Sequence, residues 1–452
     1  MLPHERWPWR LTAASLLLCL SPLCGAVNLP EIIAGAPLPA EQPPPVPPPA
    51  MPAEPAPAET RHRLTAIRFI GNRTTRERTL LRELPFKSGD VVTPAQLEAG
   101  RQAIQNLNLY KKVSLQMQPD ADGGVEAVYE LSEKWYLLGY PRVDANSNGE
   151  YAYGLQMDWN NLWGLNHTLR VSALRKETKR VGIGKEQNLS VGYAAPQVLD
   201  SLWSLGLAGS YTERPVSDHF GEYNERLEAY QALASRALDR TRPNQGWSVG
   251  AGALWSRQRT SNGIAEYGDA FGPVGVLGYR DLKLNIYSEE GLSLTSRLDA
   301  AKRNVGADYD FARVTLSAIR YWRVGATPHQ TVHLFGDIGM NWDGPASVRH
   351  FTLGGVGGLR GYERGYRDGN AYFRVGTEWA RPVFKPWLRA VVIAEAGNVY
   401  AQPNEFEPAD VKASIGLGLR LRLPMFVNVQ LEAGVALPTG GGAPRFFAGQ
   451  VQ

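Results

Sequence analysis

The sequence predicts a mainly β protein, in which a transmembrane antiparallel β-barrel of sixteen strands follows one small α+β domain. Three observations support this prediction. From Trp135 onward, segments of about ten residues alternate between apolar and polar side chains and are separated by glycine, asparagine, aspartate and proline turns. The N-terminus has the pattern of an export signal. No run of about 18 apolar residues follows it, so a membrane would have to be crossed by the strands of a closed barrel.

Length, charge and cysteine content narrow the class of protein. The 452 residues suffice for more than one domain, and the formal charge of +4 is too small for a dedicated nucleic-acid binder. The two cysteines, Cys19 and Cys24, both lie in the predicted export signal. The seven histidines form no ligand cluster, and the sequence contains no metal or nucleotide motif. We therefore expect no cofactor, no metal site and no nucleic-acid partner.

The first 26 residues predict a secretory signal peptide. A basic start precedes a short apolar stretch at residues 11–20, and Gly25-Ala26 supplies small residues before a cleavage site. A lipoprotein signal with Cys24 as the modified residue is the alternative, but Leu23 stands where a small residue is expected. Cleavage after Ala26 would leave a mature chain without cysteine, so no disulfide framework is expected.

Composition divides the remaining chain into three parts. Residues 27–62 are rich in proline and alanine, which favours an extended polyproline II spacer; a site for a proline-recognising partner is the alternative. Residues 63–133 carry mixed helix and strand signals, and residues 134–452 carry strand signals throughout. We therefore expect a linker, a small α+β domain and a barrel, in that order.

The small domain is predicted to have the element order β-α-α-β-β. Thr74 or Thr75 can cap the first helix, and Thr93-Pro94 can start the second. Its strands are predicted at residues 64–70, 112–118 and 125–131.

The clearest barrel strand is predicted at residues 411–423, where apolar side chains at odd positions alternate with polar residues, glycines and arginines at even positions. Eleven such segments precede residue 350. The five that follow residue 370 are 371–383, 388–399, 411–423, 426–437 and 445–452. The even total is typical of single-chain bacterial barrels. Tryptophans near segment ends would form interfacial girdles: Trp159, Trp163, Trp203, Trp247, Trp255, Trp322, Trp342, Trp379 and Trp387.

Residues 350–370, here called the glycine-rich loop, separate the eleventh and twelfth predicted strands. The loop contains Gly354-Gly355 and the triplet Arg360-Gly361-Tyr362. The residues around Arg360 have little side-chain bulk, which suits a loop that packs closely and presents one guanidinium group at one place. A long surface loop is the alternative.

Residues 63–133 resemble a polypeptide-transport-associated (POTRA) domain. The matching residues are Ile67, Gly71-Asn72, Gly89, Leu97, Leu107, Tyr110-Lys111-Lys112-Val113 and Glu130-Leu131-Ser132-Glu133. The resemblance implies a periplasmic domain whose exposed strand edge pairs with an unfolded client polypeptide through main-chain hydrogen bonds. A spacer domain is the alternative.

With that domain in front and five strands behind, the glycine-rich loop resembles the sixth extracellular loop of the outer-membrane assembly superfamily. The matching residues are Phe351, Leu353-Gly354-Gly355 and Arg360-Gly361-Tyr362. The resemblance implies that the loop folds into the barrel and that Arg360 pairs with Glu378 and Glu395, with Asp337 as a weaker third candidate. A guanidinium group inside a barrel needs acidic partners, because an unpaired buried charge is costly. Solvated lumen charges are the alternative for both glutamates.

Three features depart from that superfamily. The glycine spacing at Gly354–Gly358 is richer than usual, only one POTRA-like domain is present, and the C-terminus lacks the final aromatic residue typical of barrel insertion signals. A weaker alternation survives at Phe447, Gly449 and Val451. The subfamily is therefore left open.

The resemblance implies a bacterial outer-membrane protein that inserts client proteins into the membrane or translocates them across it. The expected partners are an unfolded outer-membrane or secreted client polypeptide, outer-membrane lipids, and accessory periplasmic or lipoprotein subunits. A passive channel with a periplasmic binding domain is the alternative. We do not expect an enzyme, because the G-x-S-x-G match around Ser248 lies in a strand pattern with no helix after it, unlike the nucleophile elbow of lipases.

Overall fold

The computed structural model describes residues 60–121, 123–146, 151–177, 186–218, 221–242, 244–261, 268–344, 351–355, 357–363, 365–405 and 407–450. The predicted signal peptide and the predicted linker as far as residue 59 lie outside these ranges, as do His350, Val451 and Gln452. No helix within these ranges is long and apolar enough to span a membrane.

The small domain combines a four-stranded sheet with two helices. Its elements are β1 (His62–Ile70), α1 (Glu77–Leu81), β2 (Val91–Val92), α2 (Pro94–Asn106), β3 (Tyr110–Pro119) and β4 (Val125–Glu133). The strand order is β2-β1-β4-β3, with β1 parallel and β3 antiparallel to β4. The predicted order β-α-α-β-β is confirmed. The two-residue strand β2 is an addition that is too short to leave a periodic signal in the sequence.

The two helices of this domain begin differently. Thr93 caps α2 as predicted: its hydroxyl accepts the Gln96 amide, and the Gln96 side chain accepts the Thr93 amide. The prediction that Thr74 or Thr75 caps α1 is wrong, because the N-cap is the next residue and provides no side-chain cap. The amides of both threonines instead donate to the Glu133 carboxylate, at 3.0 and 2.8 Å. The approach to α1 is therefore tied to the end of β4.

Sixteen strands form a closed barrel in which neighbours follow the order of the chain. The first eleven are β5 (Leu137–Asn146), β6 (Tyr151–Leu162), β7 (His167–Glu177), β8 (Glu186–Ala195), β9 (Trp203–Asp218), β10 (Gly221–Ala237), β11 (Gly246–Thr260), β12 (Asp269–Leu284), β13 (Glu289–Ala301), β14 (Phe311–Arg323) and β15 (Thr331–Trp342). Two short strands, β16 (Phe351–Leu353) and β17 (Arg367–Gly369), form a separate sheet. The last five barrel strands are β18 (Ala371–Pro382), β19 (Leu388–Tyr400), β20 (Lys412–Arg422), β21 (Gln430–Pro438) and β22 (Arg445–Gln450). The predicted division into eleven and five strands is confirmed.

The barrel closes between its first and last strands, β5 and β22. Within the described ranges this seam has two register pairs, Ala145 with Ala448 and Asn146 with Phe447. The neighbouring junction between β5 and β6 has nine. Because alternate register pairs of an antiparallel junction exchange backbone hydrogen bonds, a junction with few pairs has few such bonds, and the seam is the least supported junction of the described wall.

The two faces of the barrel wall follow the predicted alternation. In β20, Ile415, Leu417 and Leu419 are exposed on the outer face, where lipid would cover them. Ser414 and Arg420 of the same strand are buried on the lumen side. The polar positions of the sequence pattern therefore line the lumen.

One predicted strand starts too early, and the reason lies in the small domain. The strand predicted at residues 426–437 begins at Gln430. The preceding Val427 is buried in an apolar cluster with Leu64, Leu97 and Tyr136, which is the core of the small domain. A fully buried aliphatic side chain contributes about 1.5–3 kcal/mol, which is enough to draw this valine from the strand pattern into the core.

The tryptophans lie mainly at one end of the barrel. Seven of the nine are found near the end that faces the small domain: Trp159, Trp163, Trp203, Trp247, Trp322, Trp379 and Trp387. Trp342 ends β15 on the opposite side, and Trp255 lies within β11. Tryptophan prefers the boundary between polar and apolar surroundings, so these seven side chains form a tryptophan girdle at this end of the barrel.

The small domain lies against the turns at the adjacent end of the barrel. The Arg76 amide and the Thr79 hydroxyl both donate to the Gly164 carbonyl between β6 and β7, at 3.0 and 2.8 Å. On another side, the Gln102 side chain donates to the Leu284 carbonyl at the end of β12, at 3.1 Å. These bonds connect both helices to the barrel and hold the domain over its end.

Glu83 is buried in this interface. Its carboxylate accepts a hydrogen bond from the Asn244 side chain between β10 and β11, at 2.5 Å. The Arg82 guanidinium lies 3.7 Å from the same carboxylate and 3.5 Å from Asp200. Burial raises the pKa of Glu83 to about 7, and the hydrogen bond from Asn244 and the charge of Arg82 only partly oppose this shift.

The raised pKa predicts that the small domain is held more firmly at low pH. Between about pH 4.5 and about pH 7 the folded protein binds a proton at Glu83 that the unfolded chain does not. The contribution is complete below the unfolded pKa and is lost as the pH rises through about 7, at no more than about 1.4 kcal/mol per pH unit. Thermal unfolding in detergent from about pH 5 to about pH 8 should show this slope. Glu83→Gln should flatten it, the exposed control Glu98→Gln should keep it, and equal slopes in both variants would contradict the prediction.

Candidate functional site

The glycine-rich loop enters the barrel as a hairpin built on β16 and β17. Directly after β16 the chain turns at Gly354, whose φ of +107° favours glycine and where an added Cβ would collide with the Glu363 carbonyl oxygen. The Gly355 amide then donates to the carbonyls of Leu359 and Tyr362, at 3.1 and 3.0 Å. The predicted Gly354-Gly355 pair therefore shapes the loop tip.

Apolar side chains fix the loop to the inner wall. Leu353, Leu359 and Val399 of β19 form a buried cluster, with Tyr362 and Tyr372 packed beside it. Leu353 and Leu359 are 1% and 0% exposed. The loop thus lies inside the barrel, and the surface-loop alternative does not describe it.

Arg360 lies on this loop and contacts three carboxylates. Its Nη2 donates to Glu378 at 2.8 Å, and its Nη1 donates to Glu395. Its Nε lies 3.2 Å from the Glu432 carboxylate. Its backbone amide donates to the second Glu395 oxygen at 3.0 Å. The structure brings Arg360 together with both predicted acids, and it adds a third that the sequence analysis did not name.

Arg420 of β20 completes the arrangement. Its Nε donates to Glu432 at 2.6 Å, and its Nη2 donates to the Glu378 oxygen that faces away from Arg360. The lumen charge cluster therefore contains two arginines, Arg360 and Arg420, and three glutamates, Glu378, Glu395 and Glu432. Two positive and three negative groups give it a formal charge of −1. Such a cluster is stable only as a whole, because removing one member leaves buried charges unpaired.

His333 of β15 borders the cluster, with its Nε2 3.4 Å from the Glu378 carboxylate. His329, four residues earlier in the chain, lies outside the strand, and its side chain shares a hydrogen bond with the Ser288 hydroxyl group. The two histidines therefore face different surroundings. Within the described ranges, no group of three or more histidine, cysteine, aspartate or glutamate side chains is arranged to hold a metal ion.

A second anchor runs from the wall to the loop. The weaker candidate Asp337 does not serve Arg360; it accepts hydrogen bonds from Nε and Nη2 of Arg374, at 3.0 and 2.6 Å. Nη1 of Arg374 donates to the carbonyls of Gly357 and Gly358 in the loop. A loop arginine thus binds wall carboxylates, while a wall arginine binds loop carbonyls.

The remaining residues of the Arg-Gly-Tyr triplet set the distance to the wall. A Cβ on Gly361 would lie 2.6 Å from the Ser414 Cβ and 3.0 Å from the Pro438 nitrogen, so only glycine fits there. The Tyr362 hydroxyl donates to the Ala413 carbonyl at 3.3 Å. The triplet therefore provides a charge, a close approach and a hydrogen bond to β20 from three consecutive residues.

Glu432, Arg420 and Arg374 were missed as site residues by sequence reasoning. A partial signal existed, because Arg420 and Glu432 both fall on the polar faces of predicted strands. They are also directly opposed in the register of β20 and β21. The sequence alone does not give the register between strands, so it could not show that these side chains meet.

The G-x-S-x-G match lies at the start of a barrel strand. Gly246–Gly250 opens β11, which continues without interruption to Thr260. The strand-turn-helix context of a nucleophile elbow is therefore not present around Ser248.

Two segments of the chain match known families. Residues 277–444 match the Omp85 superfamily domain, and residues 62–134 match the POTRA family, described as surface antigen variable number repeat. No curated protein sequence matches the chain.

Three solved structures show the same fold. The chain is similar to CdiB from Escherichia coli, with a TM-score of 0.60, 16% identity and coverage of 86% of this chain and 76% of that chain. For CdiB from Acinetobacter baumannii, the TM-score is 0.58 and the sequence identity is 17%, with coverage of 86% of this chain and 74% of that chain. For BamA from Haemophilus ducreyi lacking POTRA domains 1–3, the TM-score is 0.52 and the sequence identity is 17%, with coverage of 86% of this chain and 84% of that chain.

Fold and matched segments together define an outer-membrane β-barrel protein with an N-terminal POTRA domain. Residues 277–444 form an Omp85 superfamily domain, and residues 62–134 form a POTRA domain. Its barrel lies in the outer membrane and its small domain, called the POTRA domain below, lies in the periplasm. The end of the barrel that carries the tryptophan girdle is therefore the periplasmic end.

Proposed function

We propose that this protein inserts client polypeptides into the outer membrane or translocates them across it, with the glycine-rich loop as its movable part. The observation that supports the proposal most strongly is the loop itself, which is buried in the lumen and fastened by Arg360 to Glu378, Glu395 and Glu432. A polypeptide entering the lumen would have to displace this loop. The charge cluster gives the loop a defined resting position to which it can return.

The POTRA domain offers a surface for a client in extended conformation. Its sheet order places β2 and β3 at the two edges, and β3 is the longer, with ten residues against two. In the described part of the chain, β3 pairs with β4 on one side only. An unfolded segment could add to this edge through main-chain hydrogen bonds, which bind without reading side chains.

The seam between β5 and β22 offers a route from the lumen to the lipid. Opening it would break two register pairs of the described wall, fewer than any other junction. Insertion into the membrane requires such an opening, whereas translocation through the lumen requires only movement of the loop. A covalent bond that keeps the seam closed should therefore block insertion and leave translocation unaffected.

The test uses the cysteine pair Ala145→Cys/Ala448→Cys, which occupies register partners across the seam. After depletion of the native protein, outer-membrane and secreted proteomes are compared by mass spectrometry in cells complemented with the wild type or the oxidised pair. We expect client proteins to disappear from one of the two fractions on depletion. The oxidised pair should fail to restore inserted clients, while secreted clients should return.

The control is Gly139→Cys/Met157→Cys, a pair of register partners in the well-paired junction between β5 and β6. It should restore every client in both redox states. Proteomes that do not change on depletion would refute the proposed function. A large steady conductance of the purified protein, unaffected by changes in the loop, would favour the passive channel instead.

A further inference from the structure

We propose that the lumen binds an oxyanion, a carboxylate or phosphate group, at Arg389 of β19. The proposal does not depend on the proposed function, because a passive channel with the same lumen would bind the same group. It rests on one arginine whose Nε has no hydrogen-bond partner among the described residues, on the charges around it, and on the cavity that it lines.

Four arginines of the described chain are buried, with exposures of 2% to 9%: Arg360, Arg389, Arg420 and Arg422. Three of them have a carboxylate at hydrogen-bond distance. Arg389 is the most buried, at 2% exposure, and its Nε has no hydrogen-bond partner among the described residues. A buried guanidinium group without an acceptor is costly, so this site is incomplete as it stands.

The nearest source of negative charge is already engaged. Glu289 of β13 is the acid whose charge acts most strongly on Arg389. Its carboxylate accepts a hydrogen bond from Arg422 at 2.6 Å. Arg389, Arg422 and the glutamate that they share carry a formal charge of +1, and the neighbouring lumen charge cluster carries −1. Glu378 and Glu432 are likewise engaged, because both accept hydrogen bonds from Arg420.

A cavity of about 700 Å³ lies next to Arg389. Arg389 lines it together with Arg420, and three residues that carry hydroxyl groups, Tyr321, Thr331 and Ser293, also line it. Guanidinium groups bind carboxylate and phosphate in a planar, two-point manner, and hydroxyl groups can donate to the remaining oxygens. Three acids also line the cavity, and each already accepts a hydrogen bond from an arginine: Glu289, Asp337 and Glu378. Basic side chains outnumber them in the lining: Arg142, Lys176, Arg360, Arg374, Arg389 and Arg420. The lining therefore offers donors and a net positive charge to an oxyanion.

The same chemistry can come from two sources. A small dissolved anion could enter the lumen from the periplasm, since Arg389 lies near the periplasmic start of β19. An acidic side chain of an extended polypeptide could reach the same position. Inorganic phosphate and the blocked dipeptide N-acetyl-Glu-Glu-amide represent these sources as probes.

The experiment measures binding of both probes to the full-length protein in detergent by isothermal titration calorimetry at constant ionic strength. Wild-type protein should bind at least one of them, and Arg389→Gln should weaken that binding by about tenfold or more, the loss expected for one charge-assisted two-point contact. Binding of phosphate alone assigns the site to dissolved anions, and binding of the dipeptide assigns it to acidic segments. Both results support the proposal.

The matched control is Arg297→Gln, since Arg297 faces the lumen with its guanidinium group already bonded to Asp299 and Gln231. It should bind the probes as the wild type does. Arg389→Lys keeps the charge without the planar fork, so it should bind more weakly than the wild type and serves if Arg389→Gln does not fold. Wild-type protein that binds neither probe, or binding that is equal in wild-type and Arg389 variants, would overturn the proposal.

Discussion

Arg360→Ala is expected to destabilise the protein by about 3–5 kcal/mol, because it removes one member of a buried ion cluster and leaves its partners unpaired. Glu378, Glu395 and Glu432 would remain close together with only Arg420 between them. The hydrogen bonds from Arg420 to Glu378 and Glu432 would then have to offset the repulsion among three carboxylates. Denaturant unfolding in detergent, followed by tryptophan fluorescence, measures the change.

Release of the loop should accompany this loss. Trypsin cleavage at Arg367 reports on this release, because Arg367 begins β17 of the loop and donates to Asn398 at 3.0 Å in the wild type. Arg323→Ala is the control, since that side chain is 66% exposed and its nearest acid is 3.9 Å away; its effect should stay within about 0.5 kcal/mol. Arg360→Lys should not restore the wild type, because one ammonium group cannot bind three carboxylates in different directions. If Arg360→Ala unfolds like the wild type and its loop stays protected from trypsin, the interpretation is contradicted.

Gly361→Val should displace the loop without changing any charge. The new side chain would start 2.6 Å from the Ser414 Cβ, in a wall that cannot move freely, so the loop must retreat. Overpacking of this kind costs about 1–3 kcal/mol. The trypsin assay at Arg367 and hydrogen exchange of the loop amides should both show increased opening.

Gly440→Val is the matched control for this variant, because its Cβ would meet no atom within 4 Å and its φ is not positive. It should leave loop protection at the wild-type level. In the double variant Arg360→Ala/Gly361→Val the effects should be less than additive, because each change releases the same loop. Full additivity would mean that the charge and the close approach hold the loop independently.

The architecture could be predicted because it rests on local periodicity. Alternation along the chain gave the strands after residue 370 to within a few residues, and it assigned the lumen face of β20. The predicted start of β21 was wrong, because Val427 packs in the core of the small domain, which is distant in the sequence. Sequence periodicity carries no information on which distant core an apolar residue will join.

The candidate site could be predicted only in part, for a related reason. The two acids named for Arg360, Glu378 and Glu395, came from a resemblance to a known loop and are in contact with it. Glu432 needed the register between β20 and β21, and Asp337 needed to be recognised as the partner of Arg374. Pairings between strands are set by the closed barrel as a whole, so a single segment cannot reveal them.

The shared core at the periplasmic end also sets how a client would meet the barrel. Only residues 134–136 connect β4 to β5, and Tyr136 is itself buried among the POTRA residues. A longer flexible connection would let the domain sample many positions, which would lower the effective concentration of a bound segment at the barrel. Under the proposed function, a segment paired with β3 would instead be presented at one fixed place, and its effective concentration at the barrel entrance would be that of a rigid intramolecular contact.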